Sequence, residues 1–164
     1  MCETRPIHQS DFSEKKKLIA LEQSLGTAVA VHKVAAHRWF KTIEIEYLLN
    51  PETTPLIITR NIISAPLRSG TLLLYDRNIT RRYKSDGGSW IKKRKTNKVR
   101  EDHVKLRIDG KDRISGFYAH SEDTPTLHRR SYRALSSQEP IDDSQCFILV
   151  HYLDTTMASA EKSK

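Results

Sequence analysis

Val104-Lys105-Leu106-Arg107-Ile108-Asp109-Gly110 is the stretch on which the fold turns. Apolar Val104, Leu106 and Ile108 alternate with polar Lys105, Arg107 and Asp109, the period of a strand with one face packed and one face wet. Gly110 then turns the chain. Residues 114–120, 127–134 and 146–153 read as three further strands of similar length. Short strands joined by local turns pair antiparallel, and their apolar face needs a covering layer. Trp39, Ile43 and Tyr47 recur every fourth residue, with Phe40 and Leu48 beside them, and supply that layer as one helical stripe. Thr42 is placed to cap the second half of this helix, Glu44 and Glu46 favour its first turn, and Asn50-Pro51 ends it. The expected fold is therefore α+β: an antiparallel β-sheet of short strands with a covering helix and one or two short helical segments.

Upstream, Gly70 opens the strand Thr71-Leu72-Leu73-Leu74-Tyr75, followed by a turn at Asp76-Arg77-Asn78. Residues 79–84 are expected to return as its hairpin partner. Ser85-Asp86-Gly87-Gly88 signals another turn, after which Ser89-Trp90-Ile91-Lys92 resumes a strand. Asn97 is placed to cap a short helical turn over residues 100–103. Trp39, Trp90, Tyr75, Phe117 and Tyr118 read as core. Residues 1–32 look like a tail, basic at Lys15-Lys16-Lys17 and mildly apolar, with helical potential, over 18–31; residues 155–164 read as a frayed tail.

At 164 residues, 37% hydrophobic and 29% charged, the chain has the composition of one globular domain. No apolar run approaches the roughly 20 residues that span a bilayer, so no membrane partner is expected. The first ten residues lack the apolar centre of a secretory signal. Cys2 and Cys146 cannot form a four-cysteine zinc site, and a reducing compartment suits them. Scattered histidines form no HxxxH or HxH pair. His120 and His128 flank a loop with Glu122 and Asp123, a weak pointer to a metal or hydrolytic site; His103 and His151 read first as buried, hydrogen-bonded residues. With no phosphate loop, nucleophile elbow or Cys–His signature, the expectation is no catalytic residue, no metal and no cofactor.

Charge is more informative. Residues 77–113 hold 14 Lys or Arg against 5 Asp or Glu, a local +9, whereas the other 127 residues hold 14 against 15, a balance of −1. Cations confined to one segment suit a polyanion, because phosphate binding needs many of them on one face. Lys92-Lys93-Arg94-Lys95 leads to Lys98 and Arg100, and a hairpin would set Arg81-Arg82-Tyr83-Lys84 beside it. Few aromatic side chains are left for base stacking, which favours a duplex over single-stranded RNA. An RNA-binding module, or a protein-interaction domain with an embedded nuclear import signal, stays open as an alternative; a nuclease comes last.

Arg38-Trp39, Leu48-Leu49-Asn50, Gly70-Thr71-Leu72-Leu73-Leu74-Tyr75-Asp76-Arg77, Asp86-Gly87-Gly88-Ser89-Trp90, Lys92-Lys93-Arg94, Val99-Arg100-Glu101-Asp102-His103, Phe117-Tyr118-Ala119-His120, His128-Arg129-Arg130-Ser131-Tyr132 and Leu149-Val150-His151-Tyr152-Leu153 follow one another in this order. Together they closely resemble the CG-one DNA-binding domain of the calmodulin-binding transcription activators, over residues 33–154. The resemblance implies a nuclear transcription regulator that recognises double-stranded DNA with a CGCG core. It also implies a nuclear import signal at Lys92, Lys93, Arg94, Lys95, Lys98 and Arg100. Calmodulin would be bound only through regions absent from this chain. A CGCG target offers guanine O6 and N7 to Arg or Lys. Lys92, Lys93, Arg94, Lys95 and Lys98 are therefore expected at the groove or its rim, with Arg81, Arg82, Lys84, Arg100, Arg129 and Arg130 on phosphate. The sequence departs from the family pattern at Arg133, where an aromatic residue is usual and a looser core is expected. It also departs at Lys95-Thr96-Asn97, which replace an Asp-Gly turn, and at 136–144, a longer connection.

Overall fold

A computed structural model describes residues 9–135 and 146–156; Cys2, the connection 136–144 and residues 157–164 lie outside this range. Three helices, α1 (Gln9–Leu25), α2 (Ala28–Ala35) and α3 (Thr42–Leu49), precede five strands. The strands are β1 (Leu72–Asp76), β2 (Asp102–Ile108), β3 (Lys111–His120), β4 (Leu127–Ala134) and β5 (Phe147–Asp154). They form one antiparallel sheet in the order β1-β5-β4-β3-β2. The α+β architecture expected from the sequence is the one observed.

The period of two works as the opening stretch predicts: Val104, Leu106 and Ile108 are half-buried while His103, Lys105 and Arg107 are exposed. Asp109 and Gly110 both take positive φ (51° and 77°), the two-residue turn whose twist suits a hairpin. One sheet face packs against α3, burying Ile45, Leu48, Leu72, Leu74, Ile114, Tyr132 and Leu149. The other buries Tyr75, Trp90, Ala119, Ile148, Val150 and Tyr152, partly beneath Ile63 and Leu67 of the long connection before β1. Both faces of β5 are covered, so Ile148 to Leu153 is buried throughout and reads as a run of apolar residues broken only by His151 rather than as an alternation.

Several expectations are corrected. The helix begins at Thr42, so Trp39 and Phe40 precede it. Its first turn is closed by Glu44, whose carboxylate accepts from the Lys41 backbone N–H at 2.7 Å and from the Arg38 guanidinium at 2.8 and 2.9 Å. Residues 1–32 are not wholly peripheral, because Leu25 and Val31 are fully buried in the main core. Residues 79–84 form turns, not a strand. The Asp76 carboxylate accepts from Asn78 N, and the Asp76 carbonyl accepts from both Ile79 N and Thr80 N, which winds the chain locally. The place beside β1 is already taken by Ile58, in parallel register with Leu74. No helical turn forms at residues 100–103, which lead straight into β2, and Asn97 instead takes φ 56° at a loop tip.

Candidate nucleic-acid interface

Asp86 organises the base of the basic segment. Its Oδ1 accepts from Gly88 N at 3.0 Å and from the Trp90 indole N–H at 2.9 Å. Its Oδ2 accepts from Arg129 Nη1 at 2.9 Å and from the Tyr152 hydroxyl at 2.8 Å. Burial alone would push this carboxyl up. The Trp90 N–H and the Arg129 guanidinium, with help from Tyr152, outweigh it and hold Asp86 below the usual carboxylate range. Gly87 at φ 72° lets the loop fold over its own carboxylate. Arg129 also donates to the Lys84 carbonyl at 3.2 Å, lies 3.6 Å from Glu101, and stacks 4.7 Å from the Trp90 ring. Glu101 in turn holds Lys84 Nζ at 2.7 Å.

A finger rises from this base. Ile91 N donates to His120 O and Glu122 N to Ser89 O, tying residues 89–91 to the end of β3. Lys92 then pairs with Val99, Lys93 N donates to Lys98 O, and Asn97 N donates to Lys93 O. These bonds close a small hairpin whose tip is Arg94-Lys95-Thr96-Asn97. Asn97 takes over the left-handed position that an Asp-Gly turn would fill, since Asn tolerates positive φ. Lys92, Lys93, Arg94, Lys95 and Lys98 are all exposed. Among the described residues none has a carboxylate within ion-pair distance, and the same holds for exposed Arg81 and Arg82.

The sequence-predicted cations therefore separate. The five of the finger stand together. Arg100 follows them, exposed and 4.0 Å from Asp102. Arg81 and Arg82 lie in the turns after β1, beside Arg60 across a shallow groove, not on a strand flanking the finger. Arg129 is 1% exposed and bound to Asp86, so it cannot meet a phosphate; its expected contact is replaced by a structural one. Lys84 is half-buried against Glu101. Arg130 points to the opposite sheet face from Arg129, sandwiched between the rings of Trp39 (4.1 Å) and Tyr118 (4.2 Å). Trp39, Phe117 and Tyr118 are half-buried rather than fully buried, and Tyr118 packs against the edge of the main core.

The histidines also divide. His151 is fully buried with Nε2 2.8 Å from the Ala35 carbonyl, as its reading required. His103 is exposed and rests edge-on against Phe117 at 4.7 Å, because it falls on the wet face of β2. His120 and His128 meet at 4.3 Å, with His120 3.6 Å from Asp102. Among the described residues no group of three or more His, Cys, Asp or Glu could hold a metal ion, and no helix is long and apolar enough to cross a membrane. Sequence reasoning missed Lys105 and Arg133, which flank Ser115 next to Phe117, although the alternation in β2 already set Lys105 outward. Arg133, where an aromatic residue is usual, is half-buried and lies 5.5 Å over the Phe117 ring.

Comparison with known proteins places the chain in a family. The CG-1 domain family matches residues 34–155. The calmodulin-binding transcription activator CBT of Oryza sativa subsp. japonica is 36% identical over 126 residues, 77% of this chain and 13% of that protein. Calmodulin-binding transcription activator 5 of Arabidopsis thaliana is 39% identical over 123 residues, 74% and 12% respectively. Calmodulin-binding transcription activator homolog 1 of Caenorhabditis elegans is 42% identical over 86 residues, 52% and 7% respectively. The chain thus spans only about an eighth of the first two relatives' length. No solved structure matches it. By the extent of this agreement, the chain belongs to the CG-1 domain family of the calmodulin-binding transcription activators.

Proposed function

We propose that this chain is the DNA-binding portion of a nuclear transcription regulator and holds double-stranded DNA with a CGCG core through its basic finger. The observation that carries this reading is the finger itself: five exposed cations on one short hairpin, unpaired with acids among the described residues. Like charges so close together repel unless an anion offsets them, and duplex phosphate is the densest such anion. A rigid base favours readout as well, because the Asp86 network fixes where the finger leaves the sheet. Lys92, Lys93, Arg94, Lys95 and Lys98 enter or rim the groove, where Arg or Lys can meet guanine O6 and N7. Arg81, Arg82 and Arg100 hold phosphates, while Arg130, held between Trp39 and Tyr118 on the opposite face, does not share that surface. The same exposed run, Lys92 to Arg100, suits recognition by an import receptor, and family membership favours a regulator over an enzyme.

The test is a fluorescence-anisotropy titration of a CGCG duplex, a scrambled duplex and a single-stranded RNA. Wild type should prefer the CGCG duplex, with a log–log salt slope near −5 for about six phosphate contacts. Lys93→Ala with Arg94→Ala should weaken CGCG binding at least tenfold. Equal affinity for all three nucleic acids, or a double variant within about twofold of wild type, would overturn the proposal.

A further inference from the structure

The finger runs directly into edge strand β2, whose wet face the DNA-binding proposal leaves unused. From Glu101 onward, alternate residues on that face are His103, Lys105 and Arg107, all exposed at the second, fourth and sixth positions of β2. Register places His103 opposite Phe117 and Lys105 opposite Ser115 on β3, with Arg133 of β4 opposite Ser115 in turn. Half-buried Phe117 forms a floor: His103 packs against its ring at 4.7 Å, Lys84 Nζ lies 4.9 Å away and Arg133 5.5 Å away. Lys105 Nζ donates to Ser115 Oγ at 3.3 Å. Two acids meet this strip, Glu101 on Lys84 and Asp112 on Arg107 at 2.8 Å. Among the described residues neither Lys105 nor Arg133 has a carboxylate within ion-pair distance.

We propose that Lys105 and Arg133, on either side of Ser115 and next to Phe117, are a second phosphate-binding strip that extends the duplex contact from the finger across β2 to β4. The inference rests on the DNA-binding proposal and adds residues to it. Two observations favour phosphate as the occupant. The strip's Lys105 side lies on the strand that follows the finger directly through Val99, Arg100 and Glu101. Its uncompensated charge is positive. The strip touches backbone rather than bases, so it adds affinity without adding sequence preference.

Lysine on an edge strand also blunts sheet-to-sheet aggregation, and the experiment separates the two roles. Lys105→Ala with Arg133→Ala is titrated against the CGCG and scrambled duplexes at several salt concentrations, beside wild type and the Lys93→Ala, Arg94→Ala variant. Lys105 is exposed and Arg133 half-buried, so the urea midpoint of the double variant is measured beside its affinity and must stay unchanged. The expected result is a loss of about tenfold on both duplexes alike, with the salt slope reduced in magnitude by about two. Wild-type affinity and slope in this variant, while the finger variant fails to bind, would overturn the strip and leave the finger standing. Absence of duplex binding in wild type itself would overturn both.

Discussion

Replacing Asp86 by Ala should cost this protein a large part of its stability. The carboxylate is 2% exposed and receives four donors, from Gly88, Trp90, Arg129 and Tyr152. Its removal leaves the Arg129 guanidinium, 1% exposed, with only Glu101 at 3.6 Å to answer its charge. Breaking a buried pair by deleting one partner costs about 3–5 kcal/mol, because the remaining charge stays out of water. Taking about 2 kcal/mol/M for the urea dependence, the midpoint should fall by about 1.5–2.5 M. Against a total stability of about 5–15 kcal/mol the variant still folds in the absence of denaturant over most of that range. Its duplex affinity should drop as well, since the network sets the exit of the finger. Asp86 is held below its usual range, so its contribution is present above the unfolded carboxylate pKa near 4 and is lost as pH falls through the lower native value. A midpoint change of less than about 0.5 M at pH 7 would refute the view that this ion pair fastens the loop to the sheet.

Two further outcomes test the packing. Burial pulls His151 down to about 4, against the Ala35 carbonyl that would raise it, so the neutral Nε2–H form is the native one. Its folded pKa lies below the unfolded 6.5, so stability should decline as pH falls from 6.5, by about 2 kcal/mol at pH 5. Chemical denaturation of His151→Gln across that range should show a shallower slope, with a remainder from His128, also held low by burial; an undiminished slope would count against His151. Gly70→Ala should lower the melting temperature by about 4–8 °C, corresponding to about 2 kcal/mol. Gly70 sits at φ 89°, and an added Cβ would lie 2.8 Å from the Ala36 Cα. Calorimetry showing a change within 1 °C would contradict that close approach.

The sheet was legible because its signals are local. Alternation in β2, the Asp109-Gly110 turn and the apolar run of β5 each need only neighbouring residues to be read. What escaped was decided at long range. Residues 79–84 failed to form a hairpin because Ile58, far upstream, already occupied the edge of β1. Trp39 fell outside the helix because the Glu44 carboxylate caps at Lys41, which no apolar periodicity reports.

Arg129 and Arg130 show the limit most sharply. A period of two sends adjacent residues to opposite faces, so the sequence alone forbids a shared phosphate surface for the pair. Which of them would be locked inside depended on Asp86, 43 residues away, and on Tyr152 beyond it. The local charge of +9 is accordingly the sum of two populations. Arg107 within that segment, like Arg129 outside it, is matched to an acid, and Lys84 is matched to Glu101. The finger cations are matched to nothing the described protein offers, and a fold that compensates charge so carefully at the finger's base leaves its tip uncompensated for a partner. Net charge locates such a segment, but only the pairing of each cation separates the part that holds the protein together from the part held out to something else.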